Sequence, residues 1–147
     1  ITFRIIEARK GAINITFGYG KRVMFDHIGF LVSPEELDEI CQRAEAMNWK
    51  VNSNERRTFI GTPYGFRIEL QSHEDAIDGT PSIARIEELE LIMKDGKFER
   101  DISCLFNKPL NHIHVGIGET STIHEVVMSG VVTSRQRDPN GVYVVGK

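Results

Sequence analysis

Only two cysteines, Cys41 and Cys104, occur in the chain, too few for a disulfide framework or a four-thiolate zinc site. No stretch approaches the roughly 20 consecutive apolar residues that a membrane-spanning helix needs. The opening Ile1-Thr2-Phe3-Arg4-Ile5-Ile6-Glu7 has neither the basic lead nor the apolar centre of a secretory signal. A reduced, cytoplasmic setting without membrane contact is the expectation. There is no long basic run either, and 18 basic against 21 acidic residues leave a formal charge of -3. Binding to a phosphate backbone has little to build on, so nucleic acid is not an expected partner. Gly18-Tyr19-Gly20-Lys21-Arg22 lacks the length and hydroxyl residue of a phosphate loop, and Gly116-Ile117-Gly118 stands without a dinucleotide fingerprint.

What is present is ordinary globular composition, 40% apolar and 27% charged over 147 residues. A chain of this size buries about two-thirds of its unfolded surface, enough for one domain or two small units around a core. The first 23 residues read as two strands, Ile1, Phe3 and Ile5 alternating with polar neighbours, then Ile13 to Tyr19 after a Lys10-Gly11 turn. Phe25 to Val32 reads as a strand. Ser33-Pro34-Glu35-Glu36 is a complete helix start, with a capping serine, proline at the first helical position and the glutamate of a capping box. Leu37, Ile40, Cys41, Ala44 and Met47 recur at helical spacing, which makes Cys41 a buried structural thiol.

Short strands near Lys50 and from Arg57 to Ile60, a Thr62-Pro63-Tyr64-Gly65 turn and a strand from Phe66 to Gln71 complete a β-α-β-β-β unit over residues 24–72. Residues 73–82 have linker composition. A second, irregular unit spans residues 83–147: a strand Ile86 to Met93, a short helix Lys97 to Phe106 and a strand His112 to Gly118. Thr120 to Met128 is ambiguous, and the turn at Asp138 leads to a last strand from Val142 to Val145.

Strand parity picks out the candidate chemistry. Ile28, Phe30 and Val32 share the face that the helix covers, so His27 stands on the other; Phe66, Ile68 and Leu70 likewise leave Arg67, Glu69 and Gln71 on that opposite, open face. An imidazole and a carboxylate there are either two ligands of a divalent ion, Zn, Mn, Fe, Ni or Co, or a surface histidine and a solvated glutamate.

Asp26-His27-Ile28-Gly29-Phe30-Leu31-Val32, the amphipathic helix after it, and Thr62-Pro63-Tyr64-Gly65-Phe66-Arg67-Ile68-Glu69-Leu70 resemble one module of the vicinal oxygen chelate superfamily, the group of glyoxalase I, bleomycin-resistance proteins and extradiol dioxygenases. The resemblance implies an α+β fold in which paired βαβββ modules form a curved, cup-shaped mixed sheet with helices on its outer face. It implies metal ligation by His27 and Glu69, with Glu69 also able to move a proton. A divalent metal ion as cofactor, a small-molecule substrate or ligand, and a homodimer follow from it. The family's turn before the last strand carries aspartate where this chain has Thr62.

Two registers are open for the second unit. If Glu88 to Asp95 is its opening strand, Asp95 follows Glu88 by the same interval as Pro34 follows His27, and Glu88 occupies the ligand position. If Asn111 to Ile117 is, His112 does, Val145 replaces the closing glutamate, and His27, His112 and Glu69 make a two-histidine, one-carboxylate set. His114 reads as a wet-face neighbour, and His73 and His124 as incidental. Residues 1–23 read as the closing strands of an incomplete module or a hairpin exchanged between subunits. The absence of an initiating Met leads one to expect that the numbering starts inside a processed or trimmed protein. Two functional classes follow: a metal-dependent lyase, isomerase or dioxygenase, and a metal-free protein that sequesters a drug or metabolite.

Overall fold

The structure, a computed structural model, describes residues 5–72, 83–131 and 133–147. Ile1, Phe3 and the linker with His73 lie outside the described residues. Strands β1 (Ile5–Lys10) and β2 (Ile13–Gly18) form an antiparallel hairpin that is a two-stranded sheet of its own. Lys10 pairs with Ile13, leaving a two-residue turn whose first residue, Gly11, has φ +55°. Glycine takes that value without a Cβ penalty. The hairpin tip is tied down. Ala12 N–H donates to Ala84 O at 2.9 Å, and Ile13 is buried with Ala84, Val126 and Met128.

The first unit has the expected order: β3 (His27–Leu31), α1 (Pro34–Ala46), β4 (Val51–Ser53), β5 (Thr58–Gly61) and β6 (Arg67–Gln71). Its sheet runs β3-β6-β5-β4, with β3 parallel to β6 and the other pairs antiparallel. Helix α1 starts where Ser33 Oγ accepts from Glu36 N–H and Glu36 Oε2 accepts from Ser33 N–H, both at 3.1 Å. It ends at Asn48, which adopts a left-handed φ of +60° as asparagine tolerates better than most residues, while Trp49 N–H closes on Ala44 O at 2.9 Å. Ser33→Ala removes half of the box and should cost about 1 kcal/mol. Urea unfolding should show a lower midpoint at unchanged slope.

The second unit comprises β7 (Arg85–Met93), α2 (Lys97–Phe106), β8 (Ile113–Ile117), β9 (Thr122–Ser129), β10 (Gln136–Arg137) and β11 (Tyr143–Gly146), in the sheet order β10-β11-β9-β7-β8. The ambiguous stretch after Thr120 is a strand. Here the opening strand pairs in parallel with the strand that directly follows its helix, β8, whereas β3 pairs with the last strand of its unit. A strand followed by a helix therefore matches the register that opens at Glu88. The register opening at His112 finds strand β9 where a helix belongs, and β11 pairs with β9 and β10 rather than β8.

One core joins the two units. It contains Ile40 and Ala44 of α1, Ile60, Ile68 and Leu70 of the first sheet, Leu91 and Met93 of the second, and Phe98, Ile102, Leu105 and Phe106 of α2. The fully buried Phe98 ring lies 5.6 Å from Phe66 and 5.2 Å from Tyr64. Two polar ties reinforce the contact: Tyr64 Oη donates to Asp101 Oδ2 at 2.5 Å, and Arg43 Nε to Leu105 O at 2.7 Å. Cys41 packs at the rim of this core, where burial raises its thiol pKa, and Cys104 is exposed. Among the described residues no helix is long and apolar enough to cross a membrane.

Candidate functional site

With Ile60, Ile68 and Leu70 committed to the core, the intervening residues of the first sheet must face away from the helices. The ladder sets His27 opposite Arg67, Gly29 opposite Glu69, Leu31 opposite Gln71, and Phe59 opposite Glu69. Five polar or aromatic side chains from three strands thus meet on one face.

His27 Nε2 lies 3.0 Å from Glu69 Oε2, and His27 Nδ1 lies 2.7 Å from Asp26 Oδ2. The imidazole is therefore held at both nitrogens by carboxylates. Arg67 Nη2 donates to the same Asp26 oxygen at 2.7 Å, and its guanidinium lies 4.3 Å from the centre of the Phe59 ring. That ring meets His27 edge-on at 5.9 Å. Glu69 is only 4% exposed, although it stands on the open face. Its second oxygen accepts from Gln71 Nε2 and lies 3.6 Å from Arg57 Nε.

These contacts set the charges. The hydrogen bond to Glu69 raises the His27 pKa; burial opposes this, and the bond to Asp26 adds to it. Burial would raise Glu69, but the bonds from His27 and Gln71 outweigh it and hold its carboxyl below the usual range. Asp26 is lowered in the same way, burial being overcome by His27 and Arg67. All three shifts favour a protonated imidazole between two carboxylates, with two guanidinium groups beside it.

The structure brings His27 and Glu69 together. Glu88 stands on the second sheet, where His114 Nε2 lies 3.9 Å from its Oε2. His112 is exposed just before β8, and its carbonyl accepts from Leu89 N–H at 2.8 Å. Among the described residues no group of three or more His, Cys, Asp or Glu side chains is placed to hold a metal ion. The roles of Asp26, Phe59 and Arg67 were not anticipated from the sequence. The available signal was Asp26 directly before His27, and Arg67 on the same strand parity as Glu69.

No protein-family model and no curated protein matches the sequence. A solved structure does match: 2,2',3-trihydroxybiphenyl 1,2-dioxygenase from the dibenzofuran-degrading Sphingomonas wittichii strain RW1. The TM-score is 0.64 at 12% identity, over 96% of this chain and 80% of that one. At such low identity the likeness speaks for the fold, and it spans both units and not the first alone. The chain therefore shares the α+β fold of that dioxygenase, built from βαβββ-like modules with mixed sheets, as the resemblance of its first unit led one to expect.

Proposed function

We propose that the chain binds a small molecule with adjacent oxygen atoms on the open face of the β3-β6-β5-β4 sheet and acts on it by proton transfer through His27 and Glu69. The observation that carries this reading is a buried carboxylate 3.0 Å from an imidazole whose far nitrogen is braced by a second carboxylate. Without a ligand, His27 and Glu69 satisfy each other. A ligand oxygen entering between them would take the Nε2 proton donor and free Glu69 Oε2 to accept a proton. The charged imidazole then lies beside any oxyanion that develops. Arg57 and Arg67 favour a ligand with negative charge. The name of the matched dioxygenase specifies a trihydroxybiphenyl, and this supports the same ligand class here.

A divalent ion, Fe, Mn, Zn, Ni or Co, is the further expectation of the resemblance. His27 Nε2 and Glu69 Oε2 are suitable donors, and a carboxylate on Nδ1 is a common partner of a ligating histidine. Gln71 and Arg57, however, occupy the other Glu69 oxygen, and Glu88 and His112 do not join the pair in a set of three. These residues supply half a shell, and the proton transfer proposed here does not depend on an ion. When bound, one would polarise the ligand's oxygens. The incomplete donor set also favours a second reading, sequestration of a drug or metabolite on the same face without chemistry.

The test is calorimetric titration of the protein with 2,2',3-trihydroxybiphenyl and with catechol, with and without each ion, together with ultraviolet spectra that read deprotonation of the bound hydroxyl. Bound catecholate in the parent, lost in His27→Gln and Glu69→Gln, is the expected result. Binding of the neutral ligand, unchanged within a few-fold in both variants, would select sequestration. No binding of either compound under any condition would overturn the ligand class.

A further inference from the structure

A second cluster stands on the open face of the other sheet, and the His27–Glu69 centre makes no use of it. The registers of β9, β11 and β10 set Glu125 opposite Tyr143, and Tyr143 opposite Arg137. Residues that oppose each other in a ladder project to the same side, and Arg135 shares the parity of Arg137. The contacts agree with that placement. Arg135 Cζ lies 3.9 Å and Arg137 Cζ 5.6 Å from the centre of the same Tyr143 ring, which His124 meets at 5.5 Å.

The hydrogen-bond donors around this ring are only partly used. Glu125 Oε2 accepts from Arg135 Nε at 3.3 Å and from Nη2 at 3.2 Å. Arg137 has no ion pair or hydrogen bond among the described residues, and neither the His124 ring nor the Tyr143 hydroxyl has a hydrogen bond there. The adjacent Asp138 is committed elsewhere: its Oδ1 accepts from Asn140 N–H at 2.8 Å and Val142 N–H at 2.9 Å, bracing the turn into β11. Gly141 in that turn has φ +87°, and a Cβ there would come within 3.4 Å of Arg137 Nη2, so glycine leaves the guanidinium its room. One guanidinium on a tyrosine ring is an attractive pair. A second guanidinium near the same ring keeps its N–H donors open to an anion, while Glu90, opposite Glu125 in the ladder, and Asp138 supply negative charge further out.

We propose that Arg137, together with Arg135 and Tyr143, forms a binding site for the anionic group of a small molecule, a carboxylate or a phosphate. The guanidinium fork of Arg137 matches two oxygens of either group. Arg135 contributes the second charge, and Glu125 is the internal competitor for it. The Tyr143 hydroxyl and the His124 ring supply further donors.

Titration of the isotope-labelled protein with inorganic phosphate and, separately, with acetate tests this, at ionic strength held constant with sodium chloride. Saturable amide shifts centred on His124, Arg135, Arg137 and Tyr143 are expected, and the tighter of the two probes identifies the group. Arg137→Gln should weaken binding at least about fivefold, and Arg137→Lys by less, since the charge survives without the fork. Glu125→Gln should tighten binding several-fold, because it frees Arg135. Should Arg137→Gln fail to fold, Glu125→Gln and Tyr143→Phe, which removes one donor and keeps the ring, decide the matter. Shifts that do not saturate, an Arg137→Gln affinity within about twofold of the parent, or weaker binding in Glu125→Gln would each overturn the site.

Discussion

Phe98→Ala should remove about 3–5 kcal/mol of stability, the usual cost of deleting a fully buried aromatic ring. A domain of this size has only about 5–15 kcal/mol in total, so the variant should be close to unfolding near physiological temperature. The position makes this more than a local cavity. Phe98 belongs to the second unit, yet its ring packs on Phe66 and Tyr64 of the first, and Ile68, Leu70, Leu91 and Met93 share its core. Removing it takes contacts from both units at once, and they should therefore unfold together. Urea unfolding followed by Trp49 fluorescence, a probe in the first unit, and by far-ultraviolet circular dichroism should give one coincident transition for the parent and for the variant. Phe98→Leu keeps most of the apolar volume and should cost clearly less. A loss below about 1 kcal/mol, or separate transitions by the two probes, would contradict a shared core.

The second large effect depends on pH. His27 has a raised pKa in the folded chain, so its contribution to stability is full below the ordinary histidine value near 6.5 and is lost as pH rises through the raised value. Glu69 has a lowered pKa, so its contribution is full above the ordinary value of about 4.5 and is lost as pH falls through the lowered one. Both contributions are complete between about pH 4.5 and 6.5, and the pair should stabilise the fold most in that window. Glu69→Ala leaves the half-buried imidazole one partner short. His27→Ala leaves the buried carboxylate with Gln71 and Arg57. Each should cost about 1–3 kcal/mol at pH 6, and less once the pH has passed the raised His27 value. Asp26 is mostly exposed, and its replacement should move the titration of His27 more than the stability. Nuclear magnetic resonance titration of the His27 ring gives the direct measurement. The midpoint should lie above the ordinary value in the parent and drop in Glu69→Ala. A parent midpoint at or below 6.5 would mean that the pair does not form in solution.

Much of the first unit was legible in the chain because its signals are local. Ser33, Pro34 and Glu36 lie within one helical turn, and the cap geometry they announce is the one observed. The alternation through Phe66, Arg67, Ile68, Glu69 and Leu70 settles which side chains leave the core, since a strand has a period of two whatever lies beside it. That rule placed His27 and Glu69 on a common face. It could not say that they would touch, because contact requires β3 and β6 to be adjacent, parallel and in register. The second unit was harder for the same reason. Its motif-like segments, from Glu88 and from Asn111, carry similar local patterns, and choosing between them needs the partner of each strand.

The sequence by itself determined the helix boundaries, the hairpin turn at Gly11, the apolar stripe of α1 and the faces on which the residues of β3 and β6 stand. All of these depend on dihedral preference and periodicity over a few neighbouring residues. Only the tertiary structure decided that β8 pairs with β7, that the His114 ring comes within 3.9 Å of a Glu88 oxygen, and that Asp26 braces His27 while Arg67 braces Asp26. These facts depend on sheet order and register between segments far apart in the chain. Both are set by how the two apolar faces and the two helices fill one core, a global requirement that no single segment encodes.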